Sequence, residues 1–248
     1  MNIIEKINRS RYTIKEIIDD EWDVSTLPDL SDKEIETIYS IPSAKNSSLT
    51  SFGVASGCNF TLRHKYLPTH SLHVIYYNFP EIGRESSKIT KTVTEKIFNF
   101  YKTDIIHPDD NIFIIINDKV SETLESAFNT LNINLQNEGE LSKEIKDEIK
   151  KSKINLHKRH FRNVYLFNID SFTNNLLKHR LVPEHNQIRD DNKIKEILET
   201  CNATKSQLPI ILKSDIISKL KRLTIGDICE IKRKSSTCGE YPFYRICK

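Results

Sequence analysis

The sequence predicts a two-domain protein of mixed α/β and α+β class. An N-terminal α/β domain is expected over residues 1–168, and a small C-terminal α+β domain over 169–248, ending in a β-hairpin. Three observations carry this. Between residues 71 and 168, strand-like apolar runs alternate with helix-periodic ones, the pattern of a layered α/β domain with at least partly parallel pairing. The last eighty residues abandon that rhythm and close on two strand-forming runs around the turn-like stretch Ser235–Gly239. The length, 248 residues, suits two domains better than one at roughly 150 residues each.

The elements follow in order. Ile3, Ile4, Ile7, Ile14, Ile17 and Ile18 recur at three and four residues and predict a helix with a break near Ser10. Ser31 followed by Glu34 is a capping-box pattern that opens a second helix. Residues 40–70, rich in Ser, Asn and Gly, read as loop with short strands. "SLHVIYYNF" (71–79) reads as a strand. After Ser87, the four-residue spacing of Ile89, Val93, Ile97 and Tyr101 puts them on one helical face. "NIFIII" (111–116) and "NVYLFN" (163–168) are strands, and "SETLESAFNTL" (121–131) is a helix N-capped by Ser121. Residues 134–162, with mixed charges giving way to basic ones, read as solvated helix and linker. Beyond them a helix is expected over 186–200, a turn at Leu208-Pro209, a short helix near 215–221, and the hairpin.

Composition narrows the function classes. Charged residues make up 29% and net charge is +3, from 37 basic and 34 acidic residues, too balanced for a free-standing nucleic-acid binder. Scarce glycine (six) with heavy use of Lys, Asn and Ile is the stamp of an AT-rich genome. Five cysteines without close C-x-x-C pairs suggest reduced thiols in a cytosolic or nuclear setting. No run approaches ~20 apolar residues and "MNIIEKINRS" lacks a signal-peptide core, so a soluble intracellular protein is expected.

Several constellations invite chemistry. "PDDNIFIIINDK" (108–119) has the residue types of a metal-dependent nuclease. Its Asp109 and Asp118 flank one strand, however, ~30 Å apart if it stays extended. Cys229, Cys238 and Cys247 tempt one toward zinc, but a hairpin places Cys238 ~30 Å from the other two. Structural thiols are the expected reading. His157 and His160 have a metal-compatible spacing without an evident third ligand. Phosphate loops and nucleophile motifs are absent from the sequence, so no catalytic, cofactor or metal residues are assigned. One feature suits an anion. "NDKVSE" (117–122) joins a strand's carboxyl end to a helix N-terminus, where free N–H groups and the helix dipole favour phosphate. Lys119 and Ser121 are its candidate residues.

The tail is the most specific part. "KHRLVPEHNQI" (178–188), "SQLPIILKSD" (206–215) and "GDICEIKRKSSTCGEYPFYRICK" (226–248) resemble, in order and spacing, the C-terminal assembly domain of the fifth common subunit of eukaryotic RNA polymerases and its archaeal counterpart. The resemblance spans roughly residues 178–248. Upstream it is one of layout: N-terminal helix, α/β "jaw", assembly domain. The family's usual Asp-Pro is Asp215-Ile216 here, and "SKLKRL" (218–223) replaces a usual Tyr and Gly. Residues 132–160 read as an insertion. A divergent member, viral or from an AT-rich microbe, is the expectation.

The resemblance implies a non-catalytic subunit of a multisubunit DNA-directed RNA polymerase. It implies a jaw related in fold to restriction endonucleases without their active site, lining the downstream-DNA channel near Lys119 and Ser121. The assembly domain would anchor to the largest subunit. Interface residues carried over by motif are Leu181, Val182, Pro183 and His185; Leu208, Pro209 and Asp215; Gly226, Arg233, Ser235 and Gly239; and Tyr241, Tyr244 and Arg245. Partners would be the largest and other polymerase subunits and downstream duplex DNA, with no cofactor and no membrane. Localisation would be the nucleus for a cellular protein, and the virion or host-cell cytoplasm for a viral one. The alternatives are a free DNA-binding transcription regulator and a metal-dependent nuclease. The hairpin, marginal alone in water, is expected to be held by a small sheet and by the polymerase.

Overall fold

The computed structural model describes residues 1–40, 53–84, 88–235, 237 and 239–248. The Ser- and Asn-rich stretch 41–52, residues 85–87, and Ser236 and Cys238 lie outside the described residues. The architecture is mixed α/β and built on two four-stranded sheets. Contacts divide the chain into two compact units, Met1–Ser152 with Phe161–Asn174, and Lys153–His160 with Asn175–Lys248.

In the first unit, helix α1 (Ile3–Ile18) buries Ile4, Ile7, Ile14, Ile17 and Ile18. It runs unbroken through Ser10, correcting the expected break. The buried Ser10 hydroxyl bonds the Ile7 carbonyl at 2.7 Å and the Tyr76 hydroxyl at 2.8 Å. A serine so satisfied has no need to open the backbone. Helix α2 (Asp32–Ser40) starts on the predicted capping box. Ser31 N–H donates to Glu34 Oε2 at 2.8 Å and Glu34 N–H to Ser31 Oγ at 3.4 Å.

Strands β1 (Phe60–Arg63), β2 (Ser71–Tyr77), β3 (Asn111–Ile116) and β4 (Val164–Asn168) form the first sheet in that order. β1 is antiparallel to β2, while β2, β3 and β4 are parallel. Parallel pairs require crossovers; helix α3 (Thr92–Lys102) lies between β2 and β3. Helices α4 (Glu122–Asn137) and α5 (Lys143–Ser152) lie between β3 and β4. β3 is buried throughout because both its faces are covered. Ile112, Ile114 and Ile116 pack with Val93 and Ile97 of α3 and Phe128 and Leu131 of α4. Phe113, on the opposite face by the two-residue period, meets the rings of Tyr165 and Phe167 edge-on at 5.5 and 5.0 Å. Two boundaries move. β2 stops at Tyr77 because Asn78 has φ +60°, and α4 runs six residues beyond the predicted Leu131, burying Asn132 and Leu135.

The second unit holds β5 (Glu184–Ile188), helix α6 (Asp191–Thr200), β6 (Ile210–Ile211), helix α7 (Ile216–Leu220), β7 (Ile228–Ser235) and β8 (Gly239–Cys247). Its sheet order is β5-β7-β8-β6. Residues 186–188, expected to be helical, are strand instead. β5 pairs antiparallel with β7 from Glu184 opposite Lys232 to Ile188 opposite Ile228. The helix begins only after Asp190, whose carboxylate accepts from Asn192 N–H at 2.9 Å. β8 lies between β7, antiparallel, and β6, parallel. Lys248 N–H donates to the Ile211 carbonyl at 3.0 Å, and Lys213 N–H to the Lys248 carbonyl at 2.8 Å. The second hairpin strand is thus held along its length within the chain. Both faces of the sheet are covered. Ile188, Ile194, Ile197, Leu208, Ile228 and Ile246 pack on one side, and Ile211, Leu223, Cys229, Ile231 and Cys247 on the other. Among the described residues, no helix is long and apolar enough to cross a membrane.

Candidate functional site

The second unit is organised around one buried carboxylate. Asp227 is fully enclosed, in the turn that Gly226 makes with φ +90° before β7. Its Oδ2 accepts from Thr224 N–H at 3.0 Å, and its Oδ1 faces Arg159 Nη2 at 2.9 Å and His160 Nε2 at 3.1 Å. His157 N–H donates to His160 Nδ1 at 2.9 Å. That bond leaves the imidazole's proton on Nε2, directed at the carboxylate. Burial alone would push the Asp227 carboxyl up, but the bonds from His160 and Thr224 and the Arg159 charge outweigh it and hold it below the ordinary value. Burial pushes His160 down, so a neutral ring is the form this site favours. The His157/His160 spacing therefore serves a structural clamp, joining residues 153–160 to the β7 turn. Gly226 is close to that clamp: a Cβ there would stand 3.2 Å from Arg159 Nη1.

The predicted interface residues fall into two sets. Leu181, Val182, Pro183, Arg233 and Tyr241 come together around one groove of about 820 Å³. The others support the sheet. Buried His185 bonds the Pro183 carbonyl through Nδ1 at 2.6 Å, and burial lowers its pKa. Leu208 is core, and the Pro209 carbonyl accepts from Ile246 N–H at 2.8 Å. Asp215 N-caps α7, accepting from Ile217 N–H at 2.8 Å, so this cap forms with Ile rather than Pro after it. Ser235 Oγ lies 3.0 Å from Thr237 Oγ1, and Gly239 opens β8 with φ +71°. The Tyr244 hydroxyl donates to Glu230 at 3.4 Å. Arg245 reaches the Ile210 carbonyl at 3.2 Å and lies 5.5 Å from the Phe243 ring. Cys229 and Cys247 are buried in one cluster, their thiols pushed up to about 11 and about 12 by burial. Asp227 and Arg159 were not singled out in the sequence. The available signal was the Gly-Asp pair of the tail motif, which names the turn but not its partner His160, 67 residues away in sequence.

In the first unit, Lys119 and Ser121 stand at the carboxyl end of β3. Ser121 N-caps α4, accepting from Leu124 N–H at 3.3 Å. Lys119 is exposed, and its N–H donates to Asp118 Oδ1 at 2.7 Å. Asn168 Nδ2 anchors this loop by donating to the Asp118 carbonyl at 2.9 Å. Asp109 lies at the other end of β3, buried, its Oδ1 held by Arg162 Nε and Nη2 at 2.9 and 2.7 Å. Asp110 beside it accepts from Ser71 N–H at 2.7 Å and faces His73 Nε2 at 2.9 Å. These carboxylates occupy the amino ends of the parallel strands, away from the edge where such sheets bind ligands. Among the described residues, no group of three His, Cys, Asp or Glu is placed to hold a metal.

Comparison with known proteins falls on the second unit. Residues 174–247 match the family model "RNA polymerase Rpb5, C-terminal domain". The "DNA-directed RNA polymerase subunit Rpo5" of Pyrococcus abyssi is 47% identical over 72 residues, 29% of this chain and 87% of that protein. Its counterpart in Methanothermobacter thermautotrophicus is 41% identical over 71 residues, 29% of this chain and 91% of that protein. That of Methanosphaera stadtmanae is 37% identical over 73 residues, 29% of this chain and 94% of that protein. The matched span contains the Gly226-Asp227 turn, the groove and the whole second sheet. With these similarities, the chain belongs to the Rpb5/Rpo5 family of DNA-directed RNA polymerase subunits.

Proposed function

We propose that the C-terminal unit anchors this chain to the largest subunit of DNA-directed RNA polymerase, and that the N-terminal unit acts as a jaw along the downstream DNA. The chain is a non-catalytic structural component of that enzyme; the chemistry of nucleotide addition belongs to other subunits. The observation that carries the reading is the identity of 37–47% over nearly the full length of relatives that are themselves polymerase subunits. In the proposal, residues 1–168 form the jaw, related in fold to restriction endonucleases, and 169–248 the assembly domain. The chain would work in the nucleus if cellular, or in the virion or host cytoplasm if viral. Tagging the full chain and identifying its co-purifying partners tests this, and the expected result is stoichiometric recovery of the largest polymerase subunit. Recovery free of any polymerase subunit would overturn it.

The jaw makes a separate prediction. Lys119 is an exposed cation beside the α4 N-terminus, an arrangement that favours phosphate. Lys119→Glu should leave assembly intact and lower open-complex stability at low salt. The effect should shrink as salt rises, with the salt slope reduced by roughly one if a phosphate contact is lost. Unchanged open-complex stability at low salt would remove Lys119 from the DNA path.

A further inference from the structure

We propose that the groove bounded by residues 177–184 and the β7–β8 hairpin docks an acidic, extended peptide segment of another protein chain. The proposal rests on the assembly reading and names the chemistry of the partner segment. Two features define the occupant. The first is apolar surface left in water: Leu181 is 76% exposed and Tyr241 38%, beside Val182 and Pro183. The second is charge. Five Lys or Arg line the groove against two Glu. Glu184 is already taken, because Lys232, its opposite residue in the sheet, donates to both its oxygens at 3.0 Å. Among the described residues, the side chains of Arg180, Arg233 and Lys234 make no ion pair or hydrogen bond. The Arg233 guanidinium lies 4.1 Å from the Phe243 ring centroid, a contact that restrains its plane and favours carboxylate capture by the donor fork.

The backbone offers a place for an extended chain. β5 begins at Glu184, opposite Lys232, whereas β7 continues to Ser235. Beyond Lys232, the side of β7 that carried β5 has no strand neighbour among the described residues, and Arg233 and Lys234 of that stretch line the groove. A segment adding there gains main-chain bonds, with alternate side chains reaching the apolar strip and the cations. A nucleic-acid backbone would satisfy the cations but leave Leu181 and Val182 without an apolar partner, so a peptide is favoured.

The test places the photo-cross-linking residue p-benzoylphenylalanine at Leu181 in the full chain, irradiates cells or the purified complex, and sequences the cross-linked segment. The expected product is a peptide of net negative charge. Its yield at low salt should fall about tenfold in an Arg180→Glu, Arg233→Glu background, the order expected for losing and reversing two exposed pairs. An unchanged melting temperature of that variant shows that folding is not the cause. A neutral or basic peptide, cross-linking to nucleic acid, no cross-link, or a yield insensitive to the charge reversal would each overturn the proposal. Whether the acidic peptide comes from a polymerase subunit or from another protein tests the assembly reading separately.

Discussion

Deletion of residues 240–248 is expected to abolish recovery of the chain with RNA polymerase while the first unit stays folded. β8 is the second of the two inner strands of its sheet, paired with β7 from Ile228–Ile246 to Ser235–Gly239 and with β6 at Ile210–Ile246 and Ile211–Cys247. Its loss takes Ile246 and Cys247 from the two core faces. It leaves β6 without a neighbour and opens one side of β7, an edge prone to aggregation. Burying a side chain of this kind contributes roughly 1.5–3 kcal/mol, so two such losses plus the ladder approach the whole stability of a small domain. A fragment ending at Asn174, where the first unit ends, should still unfold cooperatively in urea. Normal recovery of the truncated chain in purified polymerase would show that the second unit is not the anchor.

Asp227→Ala should be the most damaging single substitution in the second unit. It leaves the Arg159 guanidinium, the His160 Nε2–H and the Thr224 N–H without their shared acceptor. Breaking a buried charge cluster from one side costs about 3–5 kcal/mol. The expected result is a lowered urea midpoint for the second unit's transition, with protease cleavage appearing in residues 153–160. A loss under about 1 kcal/mol, the net worth of an ordinary hydrogen bond, would show that solvent replaces the carboxylate at little cost.

The same cluster sets a pH dependence. Asp227 is held below its ordinary value, so its contribution is complete above an unfolded pKa of about 3.9 and is lost as pH falls through the lower folded value. His160 is also held down, by burial. Its unfolded form takes up a proton as pH falls through about 6.5, while the folded ring resists, so acidification costs stability here as well. The melting temperature should therefore drop between about pH 7 and pH 5, on either side of that unfolded histidine value. His160→Gln, which keeps an N–H donor but does not titrate, should reduce that drop, leaving the part contributed by His185, which burial also holds down. An equal drop in the variant would assign it to other groups.

Local pattern alone determined much of this protein. Ile112, Ile114 and Ile116 alternate with Phe113 and Ile115, and such a run, bounded by polar turns, has few stable outcomes besides a strand buried on both faces. Ser31 with Glu34, and Ser121 before α4, act within one turn of chain, so their caps were legible before any fold was known. The tail motifs located the hairpin and the family because short residue spacings survive as sequence. Tertiary structure decided what depends on distant partners. Residues 186–188 have no strong preference of their own, and pairing with β7 made them strand rather than helix. Ser10 sits in an unbroken helix, its hydroxyl donating to the Ile7 carbonyl and its oxygen accepting from the hydroxyl of Tyr76, 66 residues away. The Asp227 clamp needs Arg159 and His160 brought back from before β4, and the groove needs Leu181 set beside Arg233 and Tyr241. Such partners carry no mutual spacing in the chain. They meet only when sheet register is set, and the burial that sets the register is a property of the whole fold.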